Sequence, residues 1–350
     1  MKTIADFRSD TFTLPDDGMR RAIYEAEVGN SAYGEDPSVN ALEQALAEYF
    51  NRDAALFFPS ATMAGQCAIA IWCKPGEIVL IEEYGHNFYF ETGSMAFISG
   101  TQARALPGRH GIMSANQLAQ SIQHVENPYA RTSLMVLENS SNFGGGTVYP
   151  QKTLSEIYRL ADEHNLPVHI DGARIFNAMA YYQQADSSLS AGEVLPAKGS
   201  ISLCFSKGLG APMGAALVGD ETFIAEATRV RSLLGGTMRQ IGFMAAAAMY
   251  GFQHNRERLN DDHANARILA EGLAGIKGLE LELEAVQTNM VYADVTDGNA
   301  RAQKLIRQLE DQGIRAWNLG GRLRFVTSML VDRNDCERAT QVIANSMAET

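Results

Sequence analysis

The stretch SISLCFSKGLGAPMGAALVG, residues 200–219, places Lys207 between two apolar runs. Ile201, Leu203 and Phe205 read as a buried strand, Gly208, Gly210, Pro212 and Gly214 as a turn, and 215–218 as a second strand. A lysine at a strand end, among residues too small to cover it, loses hydration of its ammonium form. Its pKa is therefore expected to fall and the free amine to become a nucleophile. That amine suits a Schiff base with a carbonyl compound or with pyridoxal phosphate (PLP). A phosphate ligand, or a side chain snorkelling from a strand end, are the other readings of the same lysine.

Asp171 closes an apolar run, VHIDGAR, 36 residues before Lys207. A buried carboxylate there needs a cationic partner, and the protonated ring nitrogen of PLP is one. Capping of the next helix, or pairing with Arg174, are the alternatives. Arg174 itself has the planar fork that grips a substrate carboxylate. Ser60 or Thr62 can cap the helix that follows FPS, leaving free N–H groups as a phosphate seat.

These residues need a scaffold, and the chain reads as strand–helix alternation. Residues 39–50 form a helix with Val39, Leu42, Leu46 and Phe50 on one face, and 55–58 a short strand. A helix of small apolar residues follows at 64–72 and a strand at 77–81. The alternation continues through 95–98, a helix around 114–124, a strand at 133–137, a helix at 153–165 and a strand at 167–170. The strands are near-continuous apolar runs, so the fold is expected to be α/β with a mainly parallel sheet. Ligands bind at the carboxyl ends of such strands, where Glu138, Asp171, Arg174 and Lys207 all fall. Helices at 221–234 and 244–273 then lead into a compact α+β tail, giving expected domains 1–250, including a polar N-terminal arm, and 251–350.

The formal charge of −12 argues against a nucleic-acid binder. No run approaches the ~20 apolar residues that cross a membrane. Cys67, Cys73, Cys204 and Cys336 lack metal-ligand spacing, so no metal is expected, and the cytoplasm is the expected compartment.

Eight ordered motifs, RSDTFTLP, SAYGEDPSVN, FPSATMAG, ENSSNFGGGTVYP, HIDGARIFNA, FSKGLGAPMGAALVG, LLGGTMRQIG and HANARILAEGL, together resemble the low-specificity L-threonine aldolases. The resemblance runs from about Ile4 to the last helix. It implies a PLP-dependent transferase-like fold (aspartate aminotransferase fold type I) among the β-eliminating lyases, with a mainly parallel seven-stranded sheet and a small C-terminal α+β domain. It matches Lys207 to the Schiff-base lysine, Asp171 to the partner of the ring nitrogen, and Arg174 and Arg324 to ligands of the substrate carboxylate, with Ser9 beside it. Ala61 and Thr62 match the backbone seat of the phosphate, and His86 the histidine stacked on the cofactor ring near the substrate hydroxyl. Arg239 resembles the arginine that reaches a neighbouring subunit's phosphate, and Tyr33 the tyrosine lent across the same interface. A homo-oligomer is thus implied, a tetramer built from dimers that share active sites.

The chain departs from the family pattern at the reacting end. Ser141 stands where the family usually has a histidine near the substrate's β-hydroxyl, Ser328 replaces a second histidine, Leu14 an arginine, and Ala61 and Gly65 the glycine and asparagine of the phosphate loop. A serine is no imidazole base near neutral pH, so Ser141 is expected to hold a water or leave room for another β-substituent. The expected reaction is PLP-dependent cleavage of a β-hydroxy-α-amino acid such as L-threonine or L-allo-threonine to glycine and an aldehyde. β-Elimination from a β-substituted amino acid is the alternative that Ser141 suggests. Transamination or racemisation would use the same lysine and aspartate, and a catalytically inactive partner subunit is the reading from a different class.

Overall fold

A computed structural model describes residues 4–123 and 130–348. Its centre is a seven-stranded sheet in the order Ala54–Phe58, Ala215–Gly219, Gly199–Cys204, Val168–Gly172, Thr132–Glu138, Ile78–Glu82, Gln102–Leu106. Only Ala215–Gly219 runs against the others, because it follows the lysine strand through the short turn at 205–214. The central strands are buried along their whole length, as their unbroken apolar runs require when helices cover both faces.

Local chemistry sets the elements. In the helix Pro37–Phe50 the Asp36 carboxylate accepts from Val39 N at 3.1 Å, Pro37 opens the first turn, and Asn51 in the left-handed region ends it. Leu42, Leu46 and Phe50 are fully buried on one face, each contributing roughly 1.5–3 kcal/mol. The helix Ala61–Trp72 starts at Ser60, whose Oγ accepts from Met63 N at 3.2 Å, so Ser60 and not Thr62 is the cap.

A second sheet, Trp317–Asn318, Arg322–Val326, Met290–Val295 and Leu279–Glu280, is antiparallel throughout. It shares a core with the helices Leu259–Ala274, Asn299–Asp311 and Arg333–Ala348. Ala5 and Phe7 are buried in that same core, and Ala5–Asp6 pairs in parallel with Ile314–Arg315. The first residues of the N-terminal arm, assigned from sequence to the larger unit, are therefore built into the smaller one, while Met19 further along packs in the larger core.

Three further expectations differ. Residues 244–273 form two helices, Gly242–His254 and Leu259–Ala274, and Leu259 packs in the large core while Ala266 to Leu273 pack in the small one. The second helix thus joins the two cores eight residues beyond the boundary at Gly251. Residues Met95–Ser99 form a π-helical turn, and the strand is Gln102–Leu106, masked in the sequence by its half-exposed edge position. The helix expected around 114–124 is Ala115–Ser121, and His124 lies outside the described residues.

Candidate active site

Strand register brings the chemistry to one edge. Glu138 pairs with Asp171, and Asp171 with Ser202, on neighbouring parallel strands. Lys207 follows three residues after the lysine strand ends. Its carbonyl accepts from Thr13 Oγ1 at 2.8 Å and from Gly210 N at 2.9 Å, so the arm and the glycine turn both pin it. Gly210 has φ +78°, which favours glycine there. Among the described residues the Lys207 amine has no hydrogen bond or ion pair.

Asp171 is buried. One of its oxygens accepts from Ala173 N at 3.1 Å, and the other has no hydrogen bond among the described residues. It does not pair with Arg174. Ala61 and Thr62 N–H likewise have no partner among the described residues, at the open start of their helix. An unpartnered amine, a half-engaged buried carboxylate and a free helix N-terminus are the donor set that an aldehyde, a pyridinium nitrogen and a phosphate demand. The residues fit PLP.

The two arginines differ in a way the sequence did not reveal. Arg174 Nε and Nη2 donate to Asp10 at 2.8 and 2.6 Å, a bidentate pair in which both side chains are buried. Burial pushes the Asp10 carboxyl up, but the Arg174 charge outweighs it and holds the group at about 2. Arg324 is also buried, yet among the described residues its hydrogen-bond partners are all neutral: Tyr292 Oη at 3.0 Å, Arg8 O at 2.9 Å and Asn142 Oδ1 at 3.0 Å. Three of its five N–H groups are thereby engaged, leaving one on each terminal nitrogen. A buried cation with no counter-ion among the described residues and an N–H to spare on each terminal nitrogen can take an anionic ligand. Arg174, matched from sequence to the same role, already holds an anion of its own. Asp10, Asn142 and Tyr292 were missed, because each acts through a partner far away in the chain.

His86 opens the short helix His86–Tyr89. Its backbone N donates to Glu138 Oε2 at 2.9 Å, and Asn142 N donates to Glu138 Oε1 at 2.8 Å. One carboxylate thus fastens the histidine to the loop that holds Arg324. Burial and the neighbouring Asp171 charge push Glu138 up to about 7.

Ser141 is buried, and its Oγ accepts from Gly144 N at 3.2 Å. A Cβ at Gly111 would lie 2.0 Å from that oxygen. The hydroxyl is therefore packed within its own turn. Ser9 is buried as well, its Oγ accepting from Thr11 N at 3.2 Å. Ser328 caps a turn through Leu330 N at 3.3 Å.

Tyr33 is 75% exposed and Arg239 is also exposed. Their loops are joined, Ser31 N donating to Arg239 O at 2.9 Å. Among the described residues no group of three or more His, Cys, Asp or Glu side chains has metal-ligand placement, and no helix is long and apolar enough to cross a membrane.

Residues 6–296 match the family described as Beta-eliminating lyase. Low-specificity L-threonine aldolase 1 of Arabidopsis thaliana is 37% identical over 88% of this chain and 86% of its own length. The low specificity L-threonine aldolase of Escherichia coli strain K12 is 38% identical over 85% of this chain and 86% of its own. In fold, a threonine aldolase of Leishmania major superposes with a TM-score of 0.82 at 18% identity, covering 98% of this chain and 99% of that one. An aspartate aminotransferase of Thermus thermophilus superposes at 0.71 and 18% identity, over 98% and 92%.

Proposed function

The chain belongs to the Beta-eliminating lyase family and is a PLP-dependent lyase of the threonine aldolase kind; from that premise we propose that it cleaves the Cα–Cβ bond of a β-hydroxy-α-amino acid, L-threonine or L-allo-threonine among them, to glycine and an aldehyde. The observation that carries this reading is the buried, counter-ion-free Arg324, tied through Asn142 and Glu138 to His86 at the mouth of the Lys207 and Asp171 strands.

Bound PLP supplies an electron sink for the pair released from the Cα–Cβ bond. Lys207 would hold its aldehyde carbon, Asp171 would face its ring nitrogen, and Ala61 and Thr62 would seat its phosphate. Arg324 grips the substrate carboxylate through its two free N–H groups, and Ser9 closes the same side. Fixing the carboxylate and the amine orients the breaking bond and removes most of its rotational freedom. His86 receives the β-hydroxyl proton, directly or through one water. Arg174 keeps Asp10 charged behind the lysine turn.

We assign Arg239 and Tyr33 to a second copy of the chain, a role that their exposure on joined loops supports, and with it the complete site to a dimer and the assembly to a pair of such dimers. β-Elimination is the competing reaction, favoured by the absence of an imidazole at Ser141. Incubation with L-threonine, L-allo-threonine and L-phenylserine, assaying aldehyde, glycine and 2-oxo acid together, separates the two. Glycine and aldehyde in equal amounts are expected, and 2-oxo acid with ammonia alone would overturn the aldolase reading.

A further inference from the structure

We propose that Glu91 is a positioning residue that makes His86 the working base, forming a carboxylate–imidazole dyad in place of the imidazole that Ser141 does not supply. The inference rests on the aldolase reading for its chemistry but on geometry for its existence. His86 Nδ1 lies 2.9 Å from Glu91 Oε1, within hydrogen-bond reach. Glu91 is buried, and its carboxylate is held from two further sides, by Gln66 Nε2 at 2.6 Å on Oε2 and Asn87 Nδ2 at 3.2 Å on Oε1. Gln66 lies on Ala61–Trp72, the helix whose start seats the phosphate, so the carboxylate cannot swing without disturbing that helix.

An ionised carboxylate only accepts, so the proton on Nδ1 is fixed and Nε2 carries the free lone pair. The Phe90 ring stacks on the imidazole at 5.7 Å between centroids and 29° between planes, limiting its rotation. Nε2 then takes the β-hydroxyl proton while the Cβ–O bond becomes a carbonyl and the Cα–Cβ pair leaves toward the electron sink. The imidazolium so formed sits against the Glu91 anion until it gives the proton up.

Three other imidazoles among the described residues are engaged elsewhere. His169 Nδ1 is 2.9 Å from Ser200 Oγ inside the sheet, His110 Nε2 is 3.1 Å from the Glu282 carboxylate, and His263 Nε2 is 3.3 Å from Asn177 Nδ2. The carboxyl groups facing His86 are Glu91 on its own segment and Asp171 and Glu138 on the strands behind. Burial pulls its pKa down, and these carboxylates, led by the Glu91 hydrogen bond, more than reverse that.

The test is Glu91→Gln in the holoenzyme, with Glu91→Asp as the conservative variant and His86→Phe to assign the signal. Nitrogen-15 NMR of the wild-type imidazole is expected to show His86 protonated at Nδ1. In Glu91→Gln its pKa is expected to fall by about one unit or more. The acid limb of kcat/KM should move down with it, kcat should drop about 10- to 100-fold at pH 7 with little change in KM, and Glu91→Asp should recover part of each. An unshifted His86 titration in folded, PLP-loaded Glu91→Gln would overturn the dyad, as would an unmoved acid limb. The NMR titration does not depend on the products formed, so a wild-type enzyme that makes no aldehyde would sink the aldolase reading and leave this one standing or falling on its own.

Discussion

At the scale of single residues the decisive contrast lies between two buried guanidinium groups. Arg174 has Asp10 as counter-ion, whereas Arg324 meets only neutral oxygens among the described residues. Arg324→Lys replaces a planar fork by a point charge and should raise KM for the amino acid by about 10- to 100-fold with a smaller change in kcat. Arg174→Lys breaks an internal pair, so it should lower Tm as well as activity. Steady-state kinetics and calorimetry on the two variants check the assignment, and equal KM effects without loss of Tm would contradict it. Lys207 and Asp171 were legible in the sequence because each ends an apolar run with nothing local to explain it. The separation of Arg174 from Arg324 was not, since the Asp10 that decides it lies 164 positions from Arg174 in the chain.

At the scale of elements, Asp36 holds two helices at once. It caps Pro37–Phe50 through Val39 N and accepts from Gly242 N, the start of Gly242–His254, at 3.0 Å. A Cβ at Gly242 would lie 2.2 Å from its carboxylate, so glycine alone admits the contact. Asp36→Ala should cost about 2 kcal/mol, roughly one per lost cap, and lower Tm by several degrees; a Tm within a degree of wild type would contradict the double role. The strand Val168–Gly172 carries a different liability. Its His169 is fully buried, and burial pulls its pKa down to about 4. Between pH 6.5 and 4 the unfolded chain binds more protons than the folded one, so stability is complete above about 6.5 and falls as the pH drops toward 4, by roughly 3 kcal/mol. Tm measured across that window should fall with pH, and His169→Gln should flatten the slope. The strand periodicity announced both apolar faces, but one sequence could not show that the break at 255–258 divides a long helical run.

At the scale of the whole molecule, a mainly parallel sheet followed by an α+β tail was legible in the alternating apolar runs, while the place of the arm was not. Its polar, turn-rich composition hides the fact that Ala5 and Phe7 complete the C-terminal core, and that Asp10 and Thr13 reach the lysine turn. The arm therefore links small core and site, which no local pattern announces. If Arg239 completes a neighbour's site, a mixture of Lys207→Ala and Arg239→Ala subunits should recover about a quarter of wild-type activity on reassembly at equal amounts. Activity no greater than the sum of the parents would contradict a shared site. The most direct measurement concerns Lys207 itself: borohydride reduction of the PLP-loaded protein, followed by digestion and mass spectrometry. The expected result is a pyridoxyl group on the peptide containing Lys207 and on no other. An unmodified Lys207, or the label on another lysine, would contradict the account at its base.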